Sequence, residues 1–316
     1  MTPSPREPRV ASLLPSATEI VCALGLERSL VGVSHECDHP PGVRGKPVLT
    51  STKVAPSALS RDIDRDVRRI VKDALAVYDI DLAALERAAP DVIVTQDLCD
   101  VCAVSFDAVR AATRAVAPSA EIVSLHPTRL ADIWSDIQRV GASLDRGPAA
   151  RDVVGRLRER TERIRERALN VHERPRVLTI EWIEPVMIGG TWTPELVELA
   201  GGEPLVARPG DRAPTLGVDA LRALDPAPDV VLVKPCGFVL ERTRAELATL
   251  RRLFAELDWP AVRDERVWIA DGNAYFNRPG PRIVESLEIL AGCLHPDLCA
   301  DLARAHRGSF ELVHLR

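Results

Sequence analysis

Two cysteines, Cys99 and Cys102, stand in C-x-x-C spacing within VTQDLCDVCAVS, residues 94–105, directly after an apolar run. A third, Cys37, lies in SHECDHP (34–40) between His35 and His39, and a fourth, Cys236, lies in KPCGF (234–238). Thiolate and imidazole are the ligands of zinc and of softer metals. C-x-x-C spacing also lowers a thiol pKa and suits dithiol redox work. A free cysteine can equally serve as a small buried hydrophobe that lines a pocket. Three readings therefore stand. The thiols line a pocket; or Cys37, Cys99 and Cys102 hold zinc, an iron–sulfur centre or the axial position of a bound metal; or Cys99 and Cys102 form a redox pair. Only one C-x-x-C is present, where two would make the stronger zinc signature.

The other reactive side chains form no such pattern. Cys22 and Cys293 fall on apolar helical stretches and Cys299 lies near a C-terminal helix, which marks all three as core. His126, His295, His306 and His314 have no ligand spacing. No Ser–His–Asp order, phosphate-binding glycine loop, G-x-G-x-x-G or paired acid/base carboxylates are flagged by spacing, so the sequence reads as a non-enzyme.

The elements that must position these residues alternate. RVASLL (9–14) reads as a buried strand, and PSATEIVCALGL as a helix that Ser16 or Thr18 caps and Gly25 ends. LVGVS (30–34) is a second strand, and 37–52 is a loop on its Pro and Gly content. Residues 62–80 carry Ile63, Val67, Ile70, Val71 and Leu75 at helical spacing. LAALERAAPDVIVT (82–95) gives helix, turn at Pro90 and strand; FDAVRAATRAV gives a helix and AEIVSL (120–125) a strand. Strand–helix alternation predicts an open, mainly parallel sheet. From Leu130 to about Val171 the pattern is a long connecting helix, with a kink near Gly147–Pro148.

The alternation then restarts. RVLTIEW (176–182) is a strand, TPELVELAGG (193–202) a helix, VDALRALDPAPDVVLVKP (218–235) helix–turn–strand, 243–257 a helix, RVWIAD (266–271) a strand and 280–294 a final helix. ERAAPDVIV and RALDPAPDVVLV repeat one device in the two halves. The predicted fold class is α/β: two Rossmann-like lobes with mainly parallel sheets joined by a long helix. The lobes span 1–128 and 173–316, with the connecting helix at 129–172. Open α/β sheets bind ligands outside the carboxyl ends of their strands, so a cleft walled by those loops is expected.

The totals fit this plan. The 316 residues are 46% hydrophobic and 28% charged, with a net charge of −5, which argues against nucleic acid as the main partner. The N-terminal MTPSPREPRVASLLP has no apolar core of roughly 7–15 residues for secretion, no segment reaches the ~18 apolar residues of a membrane span, and no lipidation cysteine stands near the start. The expected location is therefore the cytoplasm.

RVASLLPSATEIVCALGLERSLVGVSHECDHPP, LAALERAAPDVIV, ELVELAGGE, LRALDPAPDVVLV and YFNRPGPRIVESLEIL, in this order, resemble the periplasmic-binding proteins of ABC importers for iron–siderophores and vitamin B12. Within that family the chain is most similar to the cobalamin-binding branch. The resemblance implies the class III periplasmic-binding fold, with a rigid helical backbone, little hinge motion and one cobalamin-like corrinoid, or related metal chelate, between the lobes. It implies pocket walls at Tyr275 and Phe276 ahead of Arg278, and at Trp182 and Trp192. In the first lobe it places Pro15, Ser16, His35, Cys37, Gln96, Cys99 and Cys102 on the ligand-facing loops, with Cys236 in the second. It also implies an ABC permease partner met through Glu198 and, in the first lobe, Asp107. The chain departs from the family in its cysteine-rich loops, a longer loop at 44–80 and the lack of a secretion signal. The alternative is a cytoplasmic metal- or Fe–S-binding sensor or enzyme built on Cys37, Cys99 and Cys102.

Overall fold

The computed structural model of the chain describes residues 7–54, 59–72, 78–97 and 105–314. It divides into two compact units: residues 1–57, 65–127 and 131–156, and residues 58–64, 128–130 and 157–316.

The first unit contains β1 (Val10–Ser12), α1 (Pro15–Ala23), β2 (Leu30–Val33), β3 (Thr50–Thr52), most of α2 (Ser60–Lys72), β4 (Tyr78–Ile80), α3 (Leu82–Ala88), β5 (Val92–Gln96), α4 (Phe106–Val116), β6 (Glu121–Leu125), α5 (Leu130–Ser143) and the start of α6 (Gly147–Ala168). Its four-stranded sheet runs β2-β1-β5-β6 and is parallel throughout, with Val10 opposite Val92 and Ile93 opposite Ile122. Every residue of β5 is buried, as a parallel strand covered on both faces requires. Leu13, Leu49, Leu85, Ile93 and Val109 make the core between sheet and helices.

Helix boundaries follow local chemistry. Asp81 caps α3 by accepting the Ala84 N–H at 2.9 Å, and the helix ends at Ala89 (φ +38°) before Pro90. Gly25 (φ +78°) closes α1, as expected. The start of α1 differs from expectation. Leu14 is the cap residue, with no side-chain bond, and Pro15 opens the first turn. Proline's fixed φ and missing N–H suit that position, so Ser16 and Thr18 already lie inside the helix. Two further expectations are corrected. Residues 50–52 of the supposed loop form β3, and 78–80 of the supposed helix form its antiparallel partner β4. The helical spacing holds over α2, and the long-range pairing, with Asp81 N–H donating to Leu49 O at 2.9 Å, takes Tyr78–Ile80 into a strand. Leu75 lies outside the described residues. The connecting stretch is helical from Leu130 to Ala168 except at 144–146, where Asp145 (φ +54°) separates α5 from α6 just before Gly147–Pro148.

The second unit contains β7 (Arg176–Trp182), β8 (Val186–Ile188), α7 (Thr193–Leu199), β9 (Glu203–Pro204), β10 (Thr215–Leu216), α8 (Val218–Arg222), β11 (Val230–Val233), α9 (Leu240–Ala245), α10 (Leu247–Ala255), α11 (Pro260–Arg263), β12 (Val267–Ala270), α12 (Ile283–Leu294), α13 (Ala300–Ala305) and β13 (Phe310–Leu312). The sheet order is β10-β8-β7-β11-β12-β13, with β9 on β7. β7, β11 and β12 form its parallel centre, flanked by antiparallel β8, β10 and β13. Leu178, Ile180, Val231, Val233, Phe254 and Trp259 fill the core. The helix expected over 243–257 is two helices. Glu246 breaks it, and its buried carboxylate accepts the Ser60 N–H of α2 at 2.5 Å.

Candidate functional site

Because β1, β2, β5 and β6 are parallel, their carboxyl ends share one edge of the first sheet. That edge carries Pro15 and Ser16 after β1, His35 and Cys37 after β2, and Gln96 at the end of β5. The short β1–α1 connection places the Ser16 hydroxyl inside the first turn, 2% exposed and without a hydrogen-bond partner among the described residues. Thr18 Oγ1 lies 2.8 Å from Ser12 Oγ and 3.1 Å from Cys37 Sγ, so the thiol is held against the helix. Cys37 is buried, and its N–H donates to Ser34 O at 3.0 Å. His35 is half-buried; its Nδ1 sits 2.8 Å from Thr50 Oγ1 and its ring 5.4 Å from that of Tyr78. Burial lowers the imidazole pKa below its ordinary value. Gln96 is buried. Cys99 and Cys102 lie outside the described residues. Among the described residues no group of three or more His, Cys, Asp or Glu side chains is placed to hold a metal ion.

In the second unit the equivalent edge gathers the carboxyl ends of the parallel strands β7, β11 and β12. Trp182 closes β7, half-buried, with its ring edge-on to Phe238 at 5.3 Å; Arg242 lies over the other ring at 3.9 Å from the Phe238 centroid. Tyr275 is half-buried, braced by His306 at 6.2 Å and by Arg282 at 5.5 Å. Cys236 is partly exposed, and its N–H donates to Glu181 O at 3.0 Å. Trp192 and Phe276 are instead buried, at 6% and 1% exposure, and joined by a 2.7 Å bond from Trp192 Nε1 to Phe276 O. Phe276 has φ +64° and its N–H donates to Ser286 Oγ at 2.8 Å, which turns the ring inward. Arg278 is buried, with one nitrogen 3.0 Å from Asn273 Oδ1. Burial raises the Asp271 carboxyl, against two backbone N–H bonds from Ala274 and Asn273.

Sequence reasoning missed the residue at the centre of this edge. Lys234, at the end of β11, is fully buried, and its Nζ reaches Glu181 Oε2 at 3.2 Å, Thr193 Oγ1 at 3.3 Å and Asn277 Oδ1 at 3.2 Å. Asn277 Nδ2 returns to Lys234 O at 3.0 Å and to Gly272 O at 2.9 Å. A charged residue ending the apolar run VVLV was the available signal, since a strand-end lysine inside a buried run needs partners.

The two carboxylates expected to face a permease are both exposed, Asp107 in the first turn of α4 and Glu198 near the end of α7. Glu198 borders a groove of about 540 Å³ with Arg165, Arg174, Glu195 and Glu203. No described helix is long and apolar enough to cross a membrane.

Solved structures share this fold at low identity. A periplasmic heme-binding protein from Pseudomonas aeruginosa superposes with a TM-score of 0.68 at 20% identity, covering 92% of this chain and 93% of the other. The periplasmic heme-binding protein of Roseiflexus sp. RS-1 gives 0.67 at 19%, covering 93% and 100%. The periplasmic vitamin B12 binding protein of Vibrio cholerae gives 0.60 at 21%, covering 95% and 98%. No curated protein sequence matches significantly. Residues 10–274 match the family model described as periplasmic binding protein. That match overturns the expected cytoplasmic location, because proteins of this family work in the periplasm or outside the cell. The chain belongs to the periplasmic binding protein family, whose members are substrate-binding proteins of ABC importers and not enzymes.

Proposed function

We propose that the protein captures a tetrapyrrole-type metal chelate, with a cobalamin-like corrinoid as its cargo, and delivers it to an ABC permease. The observation that carries this reading is the composition of the strand-end loops. Flat aromatic faces and soft metal donors occupy the edges where open α/β sheets bind ligands. Trp182 and Tyr275 are half-buried and braced from behind by Phe238, His306 and Arg282, so each ring is held ready for a flat apolar macrocycle. His35 and Cys37 supply an imidazole and a thiol. Thr50 engages His35 Nδ1, which leaves Nε2 for a metal, and the lowered pKa favours the neutral, ligating form. The named ligands of the structural neighbours, heme and vitamin B12, belong to the same chemical class. Glu198 and Asp107 are the carboxylates we assign to the permease contact.

The test is a titration of reduced protein with hydroxocobalamin and, separately, with hemin, read by calorimetry and visible absorbance. Saturable one-to-one binding of hydroxocobalamin, tighter than hemin, is the expected result. Tighter binding of hemin would move the cargo from corrinoid to haem within the same class. Binding of neither overturns the reading. Y275A should weaken binding about tenfold, the scale of a lost aromatic contact. H35A should remove any ligand-induced band shift that arises from imidazole coordination.

A further inference from the structure

We propose that Glu181 is a recognition carboxylate for an N–H or O–H donor on the periphery of the cargo, and that Lys234 is the positioning residue that holds it. The assignment rests on the proposed function and narrows it, because it selects a cargo with donor arms.

The argument begins with one carboxylate whose two oxygens differ. Glu181 Oε2 accepts from Lys234 Nζ at 3.2 Å and from the Gly190 N–H at 3.3 Å. Glu181 Oε1 has no hydrogen bond among the described residues. The side chain is 21% exposed, whereas that of Lys234 is 0% exposed. The lysine thus lies behind the carboxylate and fixes one oxygen, and the other is left to accept. Glu181 is the penultimate residue of β7, so this acceptor stands at the carboxyl edge of the parallel strands.

Lys234 reaches further than its ion pair. Its bonds to Thr193 and Asn277 connect the start of α7 and the segment that bears Tyr275 to the end of β11. Asn277 closes the arrangement by donating to Lys234 O and Gly272 O. A fully buried ammonium with three oxygen partners is costly to misplace, since loss of any partner leaves charge uncompensated. The four strand-end loops of this unit therefore take one relative placement, and Glu181 Oε1 is preorganised. A cargo with amide arms presents N–H donors to that oxygen, and a cargo with carboxylate arms does not.

The experiment compares wild type, E181Q, K234M and E181Q/K234M by calorimetric titration with hydroxocobalamin, which carries peripheral amides, and with hemin, which carries carboxylates. E181Q removes the charge-assisted part of the bond and should weaken hydroxocobalamin about tenfold, with hemin binding unchanged or tighter. K234M should give the same change in the ratio of the two affinities, and the double variant should be no worse than the weaker single variant, because the lysine acts through the carboxylate. A purely structural lysine would weaken both chelates alike. If K234M does not fold, E181Q alone decides the point. The assignment is overturned if wild type binds hydroxocobalamin and E181Q binds it equally well, or if E181Q weakens both chelates in parallel. Failure of wild type to bind either chelate overturns the proposed function and this assignment together.

Discussion

Asp136 on α5 lends itself to a quantitative test. Its side chain is 1% exposed, Oδ1 lies 2.9 Å from an Arg139 nitrogen, and Oδ2 has no hydrogen-bond partner among the described residues. Burial pushes its carboxyl pKa up to about 6; Arg139 and the backbone N–H of His126 oppose this without cancelling it. Holding its proton from about 6 instead of the ordinary 3.8 means that ionising Asp136 costs the folded state at most about 3 kcal/mol. A raised carboxyl pKa makes the folded chain bind the proton more tightly than the unfolded chain. The cost is therefore fully present above about pH 6, is relieved as pH falls, and vanishes below 3.8. Between pH 8 and pH 5 the wild type should recover about 1.4 kcal/mol relative to a variant that cannot ionise there. D136N is that variant. Its constant offset from the altered Arg139 contact does not matter, and other titrating groups cancel in the difference. Urea unfolding of both proteins at pH 8, 7, 6 and 5 gives the difference directly. A wild-type minus D136N stability that rises by about 1.4 kcal/mol from pH 8 to pH 5 supports the argument. A flat difference, or one that falls with acidity, refutes it.

Three further outcomes are expected. Burial would raise the Glu288 carboxyl, but the His306 hydrogen bond at 2.7 Å and the Arg160 charge outweigh it and hold the group below its usual range. E288Q should then cost about 2 kcal/mol at pH 7, and the deficit should shrink as pH drops below the ordinary 4.5, as chemical denaturation would show. A Cβ at Gly272 would collide with the Pro235 carbonyl oxygen, so G272A should lose about 1–3 kcal/mol in a thermal melt. F276A should lose about 3–5 kcal/mol, since Phe276 is 1% exposed, whereas Y275A should lose far less stability and show its effect in binding.

Much of the fold was legible because its signals are local. Short apolar runs marked β1, β5, β7, β11 and β12, and Gly25 and Pro90 marked a helix end and a turn between them. The Gly147–Pro148 pair announced the break between α5 and α6 to within a few residues. Where non-local contacts compete, local signals misled. Tyr78–Ile80 follows a helical pattern but pairs with Thr50–Thr52, and Glu246 divides one amphipathic run because its carboxylate serves Ser60 of α2.

The candidate site shows the same division. Its residue types and their placement after strands could be read along the chain, because parallel strands put all their carboxyl ends on one edge. Orientation could not. The family resemblance implies pocket walls at Trp192 and Phe276, yet one bonds the other's carbonyl and both turn inward, while Trp182 and Tyr275 stay half-exposed. Lys234 gained its meaning only from Glu181, Thr193 and Asn277, which come from three other segments of the chain. By itself the sequence determined the alternation of elements, the placement of the candidate residues after strands and the family resemblance. Only the tertiary structure decided which side chains face that edge, since burial and a buried charge's partners depend on which distant segments pack together.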